Sequence, residues 1–109
     1  MPGLVALLND PEDKTRSNAA GALGNLARNS AALCPDLIAA HAFEHMVDAL
    51  EDPRTRKIAL FSLGNFCVHR ECKEVLVRMG FEQEMEKLGS DPDPTVRKYL
   101  ARIKRNLTM

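Results

Sequence analysis

The chain has 109 residues, of which 45% are hydrophobic, 28% charged and 5% aromatic, enough for one domain with a modest aliphatic core and more typical of an all-α protein than of an aromatic-rich β-sandwich. Fifteen basic residues balance fifteen acidic ones, so net charge alone attracts neither nucleic acid nor an anionic membrane. The absence of a membrane-length apolar run and of a signal-peptide layout predicts a soluble cytoplasmic protein.

Hydrophobic periodicity and capping signals predict eight helices along the chain. An Asp-Pro pair at Asp10, Asp52 and Asp93 marks the start of the long helices, because aspartate caps a helix and proline suits its first turn. Pro35 disfavours helical geometry at Cys34, which delays the expected start of the third helix. The predicted helices span residues 3–9, 12–28, 32–40, 42–50, 53–68, 71–79, 81–89 and 93–107.

The pattern recurs with a period of about 40 residues, which is typical of helical solenoids. TRSNAAGALGNLA at 15–27 aligns with TRKIALFSLGNFC at 55–67, and a weaker third copy follows at a shift of 41. Each period contains two short helices and one long third helix. We therefore predict an all-α solenoid of about two and a half three-helix repeats in a single domain, 1–109. Its expected divisions are 1–29 (a partial first repeat), 30–69 (the second repeat) and 70–109 (a third, C-terminal capping repeat).

This layout resembles the armadillo repeat, whose third helix has a similar ALSNL-like sequence, and the last copy resembles the related HEAT repeat as much. The resemblance covers nearly the whole chain. It implies a right-handed armadillo/HEAT-type α-solenoid whose third helices line a concave, protein-binding groove. It also implies a non-catalytic scaffold that binds a partner protein or an extended peptide.

Two longer phrases, SNAAGALGNLARNSAALCPDLI and IALFSLGNFCVHRECKEVL, resemble the C-terminal armadillo region of the Fused family of serine/threonine kinases. That resemblance implies a fragment of a larger signalling, ciliary or cytoskeletal protein. It further implies kinesin-type partners, a location at the cilium or cytoskeleton, and a kinase domain elsewhere in the parent protein.

The chain itself shows no catalytic or cofactor chemistry. It has no glycine-rich phosphate loop and no HRD or DFG motif, so it is not expected to be an enzyme. Cys67, His69 and Cys72 are of zinc-binding types, but no fourth ligand stands at motif spacing. Cys34 and Cys72 occupy equivalent places in successive repeats, as small core residues do. We predict reduced thiols, no metal and no cofactor.

The concave groove is the expected binding site. In the armadillo family, an asparagine near the end of each third helix can bond to the backbone of an extended peptide, and the matching residues are Asn25, Asn65 and Asn106. An amide side chain has both donors and an acceptor, which suits main-chain recognition. Alternatively, these side chains bond to carbonyls of the neighbouring repeat and hold the superhelix together. Both roles are open from sequence.

The other groove positions define the expected ligand. Nuclear-import members of the family have a tryptophan one turn before the asparagine, where this chain has Gly21, Phe61 and Arg102, so basic import signals are not the expected ligand. With Phe61 as an aromatic anchor, the polar and mildly basic surroundings suit an acidic or amphipathic peptide. A solvated helix face is the alternative interpretation. The remaining groove residues are Asn18, Arg28, Lys57, His69 and Lys98.

Three further residues stand out along the repeats. Gly24 and Gly64 weaken their helices, so their recurrence predicts close approach of neighbouring helices. His41 stands where the next repeat has Gly80, at a helix junction where the family prefers glycine for left-handed geometry. We therefore expect a local departure from the repeat at His41.

The aspartates that start the long helices have a second expected partner. Asp52 and Asp93 stand four residues before Arg56 and Arg97, a spacing at which cap and guanidinium can meet on one helix face. We expect these pairs to be structural.

Two other binding modes are open. The last helix has five cations within nine residues, which would favour phosphate contacts with nucleic acid, although Glu82, Glu84 and Glu86 oppose them. The chain begins inside a repeat, at a second helix, so an open apolar N-terminal face would favour self-association. The five cations are Arg97, Lys98, Arg102, Lys104 and Arg105.

Overall fold

The computed structural model describes residues 6–28, 32, 34–39 and 41–107, and its regular elements there are all helical. The predicted all-α solenoid class is confirmed. None of the helices described is long and apolar enough to span a bilayer. A 3₁₀ turn at Leu7–Asn9 is followed by α1 (Asp13–Arg28), α2 (Cys34–Ala39), α3 (Ala42–Ala49), α4 (Pro53–Phe66), α5 (Arg70–Arg78), α6 (Phe81–Leu88) and α7 (Pro94–Leu107).

The α-helices begin and end within two residues of the predicted positions. Helix α2 begins at Cys34 although Pro35 follows, because a proline in the first turn lacks only an amide that would have no acceptor within the helix. Of the helix expected at 3–9, Ala6 is α-helical and Leu7–Asn9 form a 3₁₀ turn, while residues 1–5 lie outside the described part. The division into three repeats stays a prediction.

The long helices α1, α4 and α7 pack in sequence order and form the spine of the solenoid. Leu23 and Leu63, which align in the repeat, are completely buried, as are Phe43 and Phe66. The rings of the two phenylalanines meet edge to face with centroids 5.1 Å apart. Burial of such a side chain contributes about 1.5–3 kcal/mol, so this shared core holds the short helices against the spine.

A left-handed residue connects the two short helices in both complete repeats. His41 has φ 60° and ψ 33°, and Gly80 has φ 72° and ψ 34°. The expected departure at His41 was therefore wrong: the tight connection requires positive φ whichever residue occupies it. The left-handed conformation costs a residue with a Cβ roughly 1–2 kcal/mol. His41 Nδ1 lies 2.6 Å from Glu44 Oε2, a contact that offsets part of this cost.

Candidate functional site

The spine helices α4 and α7 start at capping aspartates, as the Asp-Pro pairs predicted, whereas α1 begins at Asp13, three residues after Asp10. Asp52 Oδ1 accepts a hydrogen bond from the Arg54 amide at 2.9 Å, and Asp93 Oδ1 accepts one from the Thr95 amide at 2.8 Å. Hydrogen bonds from Arg54 hold the pKa of Asp52 below its ordinary value, and those from the Thr95 amide and Lys57 do the same for the pKa of Asp93. Both carboxylates are thereby fixed in charge and position.

Arginines near the start of α1 and α4 bind aspartates of the following repeat. Arg16 Nη2 lies 3.1 Å from Asp52 Oδ2, and Arg56 Nη1 lies 2.9 Å from Asp91 Oδ2. The expected pairing of an aspartate with the arginine four residues later in its own helix is therefore wrong. Arg97, the third copy, has no carboxylate partner within the described residues. Asp52 is the cap of α4, whereas Asp91 lies two residues before the cap of α7 and accepts a hydrogen bond from the Asp93 amide at 2.8 Å.

We call the contact between α1 and α4 the first joint, and its middle is held by side chains of one helix against carbonyls of the other. Ser62 and Asn65 are almost completely buried and His69 is half-buried. Asn65 Nδ2 donates to the Gly24 carbonyl at 3.2 Å, the Ser62 hydroxyl donates to the Ala20 carbonyl, and His69 Nε2 contacts the Ala27 carbonyl. A carbonyl partner assigns the proton to Nε2 of His69.

Gly24 allows this close approach. A Cβ built on Gly24 would lie 2.9 Å from Ser62 Cα and 2.7 Å from its Oγ, which no side-chain rotation alone could relieve. The expected close approach is confirmed here. At Gly64, the nearest atom to such a Cβ is Arg102 Nη1 at 3.1 Å, the end of a flexible side chain. The two aligned glycines therefore face different neighbours, a backbone in one case and a guanidinium in the other.

We call the contact between α4 and α7 the second joint, and it is made by side chains on both helices. Arg102 Nη2 donates to Asn65 Oδ1 at 2.9 Å, so the Asn65 amide is bonded on both sides. Of its two expected roles, the structure shows Asn65 in the one that holds the superhelix together. Peptide binding by Asn25 and Asn106 stays a prediction.

An aromatic pair and an ion pair complete the second joint. The half-buried rings of Phe61 and Tyr99 lie 6.1 Å apart between centroids, at 58° to each other. Lys57 Nζ lies 3.1 Å from Asp93 Oδ2 near the start of α7. The ring pair and the ion pair thus join the same two helices.

The eleven residues predicted to line the groove lie on the spine helices, except His69, which directly precedes α5. Their burial divides them into three groups. Asn65 is buried; Gly21, Phe61, His69, Arg102 and Asn106 are half-buried; and Asn18, Asn25, Arg28, Lys57 and Lys98 are exposed.

Sequence reasoning missed Tyr99 and Ser62. A shift of 41 places Tyr99 over Ile58. Ile58 Cδ1 would lie 3.3 Å from a Cβ on Gly21, so Ile58 packs beside Gly21 as Tyr99 packs beside Phe61 one repeat later. Since Gly21 aligns with Phe61, that register would have predicted the ring pair. Ser62 gave a weaker signal, a hydroxyl among apolar residues of a helix that is mostly buried.

The three cysteines are free thiols, and all are buried. Within the described residues, no group of three His, Cys, Asp or Glu side chains could hold a metal ion. Burial raises the pKa of Cys67 to about 12. Cys34 and Cys72, expected to be equivalent core residues, are both buried and in contact with each other.

Comparison with known proteins agrees with this architecture. The model of the armadillo/beta-catenin-like repeat matches residues 1–28. The chain is 32% identical over 108 residues to the serine/threonine-protein kinase TIO of Arabidopsis thaliana, with 84% of this chain and 8% of that protein covered. It therefore spans a small part of the relative that it matches.

Solved structures of designed armadillo-repeat proteins are also similar. The designed protein YIII(Dq)4CqI superposes with a TM-score of 0.86 at 29% identity, covering 97% of this chain and 46% of that one. The designed protein YIII(Dq.V1)4CPAF, solved in complex with the peptide (KR)4, superposes with a TM-score of 0.89 at 27% identity, covering 97% and 46%. The chain spans less than half the length of each.

Proposed function

We propose that this chain, an armadillo-repeat solenoid, is a non-catalytic scaffold that binds an extended segment of a partner protein along α1, α4 and α7. The armadillo fold supports this role, since a designed relative is solved with a peptide bound. An extended peptide of about eight residues spans roughly 27 Å, within the 34 Å longest dimension of the described structure.

The ring pair of Phe61 and Tyr99 is the observation that carries the proposal. Both rings are half-buried and leave part of their surface to solvent, although burial of aromatic surface is favourable. Aromatic side chains at such positions tend to dominate binding energies. Arg102, which is bonded to Asn65 one turn after Phe61, adds a positive charge to the same joint.

The basic residues of the groove favour an acidic or amphipathic ligand. Within the described residues, Arg28, Lys98 and Arg102 form no ion pair with a carboxylate. A guanidinium whose geometry is already fixed by one hydrogen bond loses less entropy when it binds a carboxylate. A groove of this character opposes a basic peptide such as (KR)4 through like-charge repulsion.

The test is fluorescence anisotropy of the 109-residue chain with labelled peptides of about eight residues. One peptide alternates glutamate and leucine, a second replaces each glutamate by glutamine, and the third is (KR)4. We expect the acidic peptide to bind at least about tenfold more tightly than the other two, because complementary charge adds to apolar contact.

Matched variants locate the binding surface. Phe61→Ala and Lys98→Glu should each weaken the acidic peptide by about tenfold. The controls Val77→Ala and Arg78→Glu change an exposed apolar and an exposed basic residue on α5 that are not among the predicted groove residues, and they should leave affinity within about twofold. Circular dichroism first establishes that each variant is folded. Equal losses in variants and controls, or tighter binding of (KR)4, would contradict the proposal.

The similarity to TIO supports a second level of the proposal. We propose that the chain belongs to a longer signalling protein of Fused type, with a kinase domain in another region and a location at the cilium or cytoskeleton. Kinesin-type proteins are the proposed partners. Co-precipitation of a kinesin with the wild-type chain, and its loss with Phe61→Ala, would support both levels, whereas a kinesin retained by Phe61→Ala would exclude the groove as its binding site.

A further inference from the structure

Two buried cysteines from successive repeats meet inside the solenoid. Cys34 on α2 is 1% exposed and Cys72 on α5 is completely buried. The Cys72 Sγ donates to the Cys34 Sγ at a sulfur–sulfur distance of 2.8 Å. Both are free thiols in this structure, as is the buried Cys67. The helices that carry Cys34 and Cys72 pack against each other directly, so the contact between these cysteines crosses from one repeat to the next.

The two sulfurs already lie close to bonding distance. A disulfide bond is about 2.05 Å long, so its formation requires the sulfurs to approach by about 0.8 Å. We propose that Cys34 and Cys72 form a reversible disulfide that links the first helices of two successive repeats, with a hydroperoxide as the oxidant. This proposal does not depend on peptide binding in the groove.

One molecule of hydroperoxide is sufficient to oxidise the two thiols to a disulfide. With hydrogen peroxide as oxidant, one cysteine sulfur attacks an oxygen as thiolate, the O–O bond breaks, and a sulfenic acid and water form. The second cysteine then attacks the sulfenic sulfur, and a second water leaves as the S–S bond forms. Two thiols lose two electrons and two protons, and the peroxide is reduced to two molecules of water. A dithiol reductant reverses the linkage by exchange.

Burial controls the rate of this reaction. Burial raises the pKa of Cys72, and its hydrogen bond with Cys34 raises that pKa further. Since the thiolate is the reactive form, a raised pKa reduces the reactive fraction at neutral pH, and oxidation should accelerate as pH rises. The native protein is therefore expected to resist brief exposure to peroxide and to oxidise under sustained exposure.

Trypsin separates the three cysteines, which makes the linkage directly measurable. Cleavage after arginine and lysine leaves Cys34 in peptide 29–54, Cys67 in 58–70 and Cys72 in 71–73. The 109-residue chain is treated with hydrogen peroxide at mildly alkaline pH, alkylated, digested without reductant and analysed by mass spectrometry. We expect peptide 29–54 linked to 71–73, with Cys67 alkylated. Dithiothreitol should release both peptides.

Thermal unfolding gives a second readout. Cys34 and Cys72 are 38 residues apart in the sequence. A disulfide that closes a loop of this length should raise the melting temperature by about 10 °C or more, and dithiothreitol should remove the increase. Cys67→Ala should keep the shift, while Cys34→Ala and Cys72→Ala should each abolish it. Wild-type mass spectra test the linkage even if a buried variant unfolds. Linkage through Cys67, linkage between two chains, or no linkage after sustained oxidation would overturn the proposal.

Discussion

The first and second joints connect aligned helices in different ways. In the middle of the first joint, the α4 side chains of Ser62 and Asn65 bond to backbone carbonyls of α1, and Gly24 brings the backbones together. In the second joint, Arg102 of α7 reaches over Gly64 to Asn65. The middle of the first joint is thus buried and closely packed, whereas the second joint is made by longer and partly exposed side chains.

This difference shows that two residues that align in the repeat need not contact the same kind of neighbour. A shift of 41 places Ile103 over Ser62, and a buried isoleucine has no proton to donate to a carbonyl. The second joint therefore lacks the Ser62 contact and uses a guanidinium over Gly64. Phe61, Tyr99 and Arg102 of the second joint are only half-buried, so the candidate groove lies where the packing is looser.

Asn65→Ala is expected to have the largest effect, because Asn65 takes part in both joints. The change removes the bond to the Gly24 carbonyl and leaves the half-buried Arg102 guanidinium without its acceptor, which should lower the free energy of unfolding by about 2–3 kcal/mol. The aligned Asn106→Ala serves as control and should cost less than about 0.5 kcal/mol. Urea unfolding measures both. Equal costs would mean that the two joints do not differ at this position.

The glycine pair tests the packing of each joint with the same substitution. Gly24→Ala should destabilise the protein by about 1–2 kcal/mol, because its Cβ would meet the Ser62 backbone and outweigh the better helix propensity of alanine. Gly64→Ala meets only the end of the Arg102 side chain, so we expect a change within about 0.5 kcal/mol. Thermal unfolding at one pH measures both variants. A larger loss for Gly64→Ala would reverse the proposed order of packing.

Acid should have the smallest effect and acts on charge alone. Interactions with the Thr95 amide and Lys57 lower the pKa of Asp93 from 3.8, so its contribution to stability is present above about pH 3.8 and is lost as pH falls through the lower folded pKa. Asp93→Asn retains an acceptor for the amide and removes the charge. Its unfolding midpoint should therefore fall less than that of the wild type between neutral and acidic pH. Parallel slopes in the two proteins would show that the Lys57 pair contributes nothing measurable.

Much of the fold could be predicted because its signals are local. Asp-Pro caps and apolar periodicity placed the helices, and the repeat of Gly24-Asn25 at Gly64-Asn65 identified the period. The burial of Asn65 was harder to predict because it depends on Arg102, which lies 37 residues away and on another helix. The same Gly-Asn pair thus places a buried asparagine in α4 and an exposed one in α1.

Backbone geometry explains the misjudged turn. The connection between short helices requires positive φ, and the chain accepts that conformation at His41 as it does at Gly80. Composition alone would have placed a different turn there, since residues with a Cβ rarely adopt this conformation. The geometry of the repeat overrides the local preference of one residue.

The first joint makes unequal demands on the two helices that form it. Its acceptors on α1 are peptide carbonyls, which every residue supplies, so for these bonds α1 needs only small residues at Ala20, Gly24 and Ala27. Helix α4 must supply particular donors at Ser62 and Asn65. A different long helix that keeps these three small residues, a buried leucine at the position of Leu23 and the arginine that pairs with Asp52 should therefore replace α1 without loss of the joint, which makes the upstream unit the interchangeable module.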